Sequence, residues 1–168
     1  MIKRVFESEI KGVDEKESTL TALITTSARD RMDESINPKG VDLKNFQKNP
    51  VVLWAHNYDL PPIGKALWTK RSKEGIISKV KFANTDFAKE VFGLFKDGFM
   101  NAFSVGFIPK ETEDGDGKST PSRTFTKAEL LEFSAVPVPA NPEALALAMK
   151  KGVLKNQDLI EQLAKDIA

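Results

Sequence analysis

The sequence predicts a β-rich α+β domain, and three observations predict it. Short segments rich in β-branched and apolar residues recur along the 168 residues, separated by Pro-, Gly- and Asn-containing breaks. One amphipathic helical pattern lies between Asn84 and Gly98. Two further helical patterns follow near the C-terminus, at Pro142–Lys151 and Gln157–Ile167. A chain of this length supports one hydrophobic core without covalent staples.

Each element has a local reason. Ser18–Ser27 is rich in Thr, Leu and Ile and favours a strand. Arg29–Gly40 is polar and carries the turn signature Asn37-Pro38-Lys39-Gly40. Val41–Phe46 suits either a short strand or a turn of helix. The apolar run Val51–Ala55 follows Pro50 and has the length and branching of a buried strand. After the break Pro61-Pro62-Ile63-Gly64, Lys65–Lys70 and Gly75–Phe82 read as a strand pair. In the second, Ile76, Val80 and Phe82 share a face opposite Lys79 and Lys81.

Asn84, Thr85 and Asp86 offer helix N-caps. Phe87, Val91, Leu94 and Phe95 then form an apolar stripe, and Gly98 is placed for a left-handed C-cap. Gly93 inside this helix costs about 1 kcal/mol relative to Ala, so packing must override propensity there. Ala102–Ile108 and Phe125–Val138 are strand-like. The segment Glu111–Ser122 between them, with Asp114-Gly115-Asp116-Gly117, has the composition of a mobile loop. It lacks the later acidic ligand of a calcium loop. In Gln157–Ile167, the stripe of Leu159, Ile160, Leu163 and Ile167 offers a surface for packing or self-association.

Composition narrows the chemistry. With no cysteine, the chain has no disulfide, no thiol nucleophile and no cysteine-held zinc or iron–sulfur site. A single histidine excludes zinc sites that need two. No metal or organic cofactor is expected. A net charge of +1, with basic residues scattered, gives no electrostatic case for nucleic acid or a membrane surface. Residues Met1–Glu9 are charged from the outset, with no apolar leader-like stretch, and no run approaches a membrane span. The expectation is a soluble intracellular protein.

Three residues stand out. His56 directly follows the apolar run ending at Ala55; it is either a histidine at a strand end or a general base. Ser104 lies in Ala102-Phe103-Ser104-Val105-Gly106-Phe107, where a hydroxyl needs a buried partner or an opening into a cleft. Gly106 beside it suits close approach of a substrate backbone. Glu132 sits between Leu131 and Phe133; it is either an outward-facing carboxylate or the partner of a histidine. If residues 129–136 form an unbroken strand, Glu132, Ser134 and Val136 share one face. Glu129 then falls on the other, with Leu131 and Phe133.

In order, four blocks resemble the caudovirus prohead serine proteases, the capsid-maturation proteases of tailed phages. These are Asn49-Pro50-Val51-Val52-Leu53-Trp54-Ala55-His56-Asn57 and Pro62-Ile63-Gly64-Lys65, then Lys96-Asp97-Gly98 before Phe103-Ser104-Val105-Gly106-Phe107, and finally Leu131–Ala144. The resemblance spans roughly Thr19 to Ala144. It implies a mostly antiparallel β-barrel like that of the herpesvirus assemblins, with surrounding helices and a helical C-terminus. Residues 1–150 would be the protease domain and 151–168 a helical segment packed on it or used for homo-oligomerisation.

The resemblance further implies a serine endopeptidase acting in the procapsid, within the bacterial host cytoplasm. Its partners would be the major capsid protein and scaffold as substrates, and itself, with no nucleic acid or membrane involved. It matches Ser104 to the nucleophile, His56 to the base and Glu132 to the acid. The herpesvirus relatives use a second histidine as third member, which this chain lacks. No spacing locates an oxyanion hole; the amides near Pro139–Asn141 are the candidates. The rival function on the same fold is a non-enzymatic capsid scaffold or assembly protein.

Overall fold

A computed structural model describes residues 15–144. The helix expected at Gln157–Ile167, most of the one at Pro142–Lys151, and the proposed 151–168 segment lie outside the described residues.

Among the described residues, eight strands form one curled sheet around an aromatic core. They are β1 (Thr19–Thr26), β2 (Glu34–Ile36), β3 (Val41–Asp42), β4 (Val51–Trp54), β5 (Gly64–Arg71), β6 (Gly75–Phe82), β7 (Ala102–Asp114) and β8 (Arg123–Val136). Two α-helices accompany them, α1 (Lys44–Lys48) and α2 (Asp86–Lys96). Antiparallel pairing runs β1–β6–β5–β4. From β4 the sheet passes to β8, whose other edge carries β7 antiparallel along almost its whole length.

β8 is the spine of the molecule. Along one edge it pairs in parallel with β2, β3 and β4 in turn, at Phe125, Ala128 and Ser134 among other positions. These three pieces advance in the same direction as β8. The 3₁₀ turn Pro38–Gly40 and helix α1 loop out the residues between them. β2 was not foreseen, because three residues inside a polar stretch carry no periodicity; its bonds to β8 make it a strand. Val41–Phe46 resolves both ways, as β3 and then the start of α1.

The core joins these layers through rings. Phe95 of α2 stacks on Phe103 of β7, with centroids 5.0 Å apart. Phe103 meets Phe133 of β8 edge-on at 5.7 Å, and Phe46 of α1 reaches Phe133 at 5.8 Å. Burying each such ring stabilises by about 1.5–3 kcal/mol. Helix α2 is capped by the Thr85 side chain and closed by Gly98 in the left-handed region, φ +81. Its buried stripe is Ala88, Val91, Phe92 and Phe95. Phe87 and Leu94 fall to its flank, and Phe87 packs edge-on against Trp54.

The expected mobile loop is shorter and better tied. Glu111–Asp114 belong to β7, so the connection is residues 115–122. Asp116 gathers it by accepting from the Ser119 hydroxyl and the Lys118 and Thr120 amides. These bonds, the Ser119 hydroxyl foremost, hold Asp116 well below the usual carboxylate range. Arg29 reaches across to the Gly117 and Lys118 carbonyls. Among the described residues, no helix is long and apolar enough to cross a membrane, and no acidic, His or Cys cluster suits a metal ion.

Candidate active site

The site forms where β4, β7 and β8 run side by side. Leu53 on one edge and Ser104 on the other both pair with Ser134. Beyond Trp54 the chain reverses at once. Ala55 and His56 have positive φ, +48 and +55, and the Asn57 N–H closes the turn on the Trp54 carbonyl at 2.9 Å. Side-chain-bearing residues enter this region at a cost of about 1–2 kcal/mol each. Here the bond from Ala55 N–H to the Ala135 carbonyl holds the reversal in place. The turn folds the imidazole back over β8.

There, His56 Nδ1 lies 2.5 Å from Glu132 Oε1. Glu132 is 2% exposed, whereas the His56 side chain is about one third exposed. A neutral imidazole with its proton on Nδ1 donates to the carboxylate and leaves Nε2 as a free acceptor. Ser134, fully buried, ties the pair together: its hydroxyl accepts from the His56 backbone N–H at 3.0 Å and donates to Glu132 Oε2 at 2.7 Å. Both oxygens of a nearly dry carboxylate are thus engaged, as burial of such a group requires.

Glycine 106 serves this carboxylate. A Cβ there would lie 2.1 Å from Glu132 Oε1 and 3.2 Å from the Tyr58 hydroxyl. The space expected for a substrate backbone is instead filled by the acid. Tyr58 donates to Glu132 Oε1 at 3.5 Å. Although Tyr58 is 64% exposed, partial desolvation of its phenol against the site, together with the charge of Glu132, pushes its pKa up from the ordinary value.

Ser104 is 8% exposed and lines a small cleft of about 50 Å³ with Thr25, Thr26, Ala140 and Asn141 among its walls. The structure therefore brings His56 and Glu132 into direct contact and sets Ser104 directly across from Ser134, on the face that Ser134 and Glu132 share. Among the described residues, no hydrogen bond links the Ser104 hydroxyl to the imidazole. Such contacts are often loose without substrate.

Glu129 is elsewhere. It accepts from Asn45 of α1 at 3.0 Å and lies 3.5 Å from Lys110. The unbroken-strand parity does not hold. Pairing passes from Gly106–Glu132 to Phe107–Leu130, leaving Leu131 as an extra, exposed residue. This bulge lets Leu130 and Phe133 both enter the core.

No sequence signal announces Tyr58 or the positive-φ turn, and in sequence Ser134 is only a neighbour on the Glu132 face. The Glu132-x-Ser134 spacing was the available signal, since it places both side chains on one face of a strand.

The loop after β8 closes the cleft. The Arg31 N–H donates to the Ala140 carbonyl and Arg31 Nε to the Pro139 carbonyl, each at 3.1 Å. Asn141 Nδ2 donates to the Thr26 carbonyl and hydroxyl.

The fold has a solved counterpart. Covering 89% of this chain and 77% of its own, the KSHV protease solved in complex with a hexapeptide phosphonate inhibitor matches with a TM-score of 0.51 at 10% identity. The fold is that of the assemblin-like proteases. Within it, the model of the caudovirus prohead serine protease family matches residues 10–157, and the chain belongs to that family. A capsid polyprotein of Pseudomonas phage PAJU2 is 32% identical over 150 residues, 84% of this chain and 21% of that protein. A prohead protease of Escherichia phage T5 is 30% identical over 102 residues, 61% of this chain and 47% of that one. The chain thus spans less than half the length of these curated relatives.

Proposed function

We propose that this chain is a serine endopeptidase of procapsid maturation, with Ser104 as nucleophile, His56 as general base and Glu132 as the acid that orients the base. The observation that carries this reading is the 2.5 Å contact between His56 Nδ1 and the buried Glu132 carboxylate, two residues along β8 from Ser134, the cross-strand partner of Ser104. In the reaction, Ser104 Oγ attacks a peptide carbonyl as its proton passes to His56 Nε2. The C–N bond then breaks, and His56 returns that proton to the leaving amine. A water, deprotonated by His56, attacks the acyl-enzyme and releases Ser104. Glu132 holds the Nδ1–H tautomer and stabilises the imidazolium; Ser134 holds Glu132.

The relatives' names point to the substrates. One is a capsid polyprotein and another a prohead protease, so the natural targets are capsid or scaffold segments, and the enzyme itself, inside the procapsid of an infected bacterium. The test is co-expression with the cognate capsid protein, read by intact mass. Ser104→Ala removes one hydroxyl and should leave the fold intact while abolishing processing. His56→Ala should match it, with the double variant hardly worse, because such residues act as a unit. Wild-type cleavage by a folded Ser104→Ala protein would refute the assignment.

A further inference from the structure

We infer that Arg31 is a positioning residue for the anion-binding side of this site, an inference that rests on the Ser104 reading above. A trans peptide is planar, so the N–H of one residue points opposite the carbonyl of the residue before it. The described chain has no cis peptide. Arg31 draws two successive carbonyls to itself, Pro139 through its guanidinium Nε and Ala140 through its backbone N–H. The paired amides, Ala140 N–H and Asn141 N–H, are therefore both turned away from Arg31. Neither meets an acceptor among the described residues. Both residues line the cleft that Ser104 lines, and Arg31 does not.

Two adjacent amides turned to one side make a concavity for an anion. Beside an attacked carbonyl, that anion is the developing oxyanion. Asn141 fixes the far end of the loop on Thr26 and through its own Oδ1, which accepts from the Glu143 N–H. Arg31 fixes the near end. Its guanidinium thus acts on the reaction only through the direction of the Ala140 amide, and its backbone N–H through that of Asn141.

The probe is diisopropyl fluorophosphate, whose tetrahedral phosphorus mimics the attacked carbon. The Ser104 Oγ–P bond forms, fluoride leaves and the hydroxyl proton passes to His56. Labelling is followed by intact mass and peptide mapping over a range of probe concentrations, separating KI from kinact. Arg31→Met fills similar space without a donor, and Arg31→Lys restores one. Arg31→Met should lower kinact by roughly 10–100-fold with KI and Tm little changed, the scale of a misplacement of about 1 Å. Arg31→Lys should recover most of that loss.

Wild-type kinact in Arg31→Met would overturn the inference. So would parallel losses in kinact, KI and Tm, which are the mark of a merely structural role. The native protein gives a second reading whether or not the variants fold. On labelling, the amide proton resonances of Ala140 and Asn141 should shift downfield; unmoved resonances would also overturn it. Failure of wild-type Ser104 to label would instead bring down the nucleophile assignment itself.

Discussion

The two glutamates of β8, Glu129 and Glu132, are three residues apart, either side of the Leu131 bulge, and live in opposite settings. Glu132 is sealed among His56, Ser134 and Tyr58, with both oxygens held. Glu129 lies midway along the same strand, its side chain about one fifth exposed, between an Asn side chain and a Lys ammonium. The exposed pair is of the kind worth at most about 1 kcal/mol in water. The sealed one has no such freedom: removing either partner leaves a buried polar group unmet. What a carboxylate can do here depends on its surroundings, and those are set by neighbouring strands rather than by neighbours in sequence.

The comparison can be broken by experiment. Glu132→Gln should lower the cleavage rate by roughly 10²–10⁴-fold, since the amide no longer enforces the Nδ1–H tautomer. Near-normal activity would leave a Ser104–His56 dyad.

Gly106→Ala comes next. Its Cβ would overlap the Glu132 carboxylate, which cannot leave without losing Ser134 and His56. Overpacking of this kind costs about 1–3 kcal/mol, and the rate should fall at least tenfold. A denaturation curve and a cleavage assay on the same sample check both.

Glu129→Gln should stay within a few-fold of wild type in rate, with about 0.5 kcal/mol or less lost in stability. A loss matching that of Glu132→Gln would reverse the roles assigned to the two carboxylates.

The finest test uses the single tyrosine of the chain. Tyr58 should titrate above the ordinary value near 10, followed by phenolate absorbance. Glu132→Gln removes the negative neighbour and should bring the midpoint part of the way down, the share due to partial desolvation remaining. Glu129→Gln should leave it unmoved.

Much of this molecule was legible in its residues. The alternation in Gly75–Phe82 and the apolar run Val51–Ala55 specify strands, because a half-buried or buried strand must show its faces in its pattern. Thr85 and Gly98 mark the ends of α2 because capping is local chemistry. The three candidate residues were legible because each is out of place: one histidine at a strand end, a hydroxyl and a carboxylate in apolar runs. Four ordered blocks added the family.

What only the tertiary structure decided depends on groups distant in sequence. The bulge at Leu131 follows from packing both Leu130 and Phe133 into one core, which no local pattern announces. Ala55 and His56 adopt positive φ without a glycine or asparagine to signal it, because Ala135 and Ser134 hold the turn from the neighbouring strand. The purpose of Gly106 was hidden for the same reason: what its missing Cβ leaves room for is a carboxylate arriving from β8. Arg31 is a polar residue in a polar loop until the fold sets it against two carbonyls more than a hundred residues away. Sequence patterns record what a residue needs from its own strand or helix; the direction of a buried polar group is fixed by whatever the fold brings to meet it.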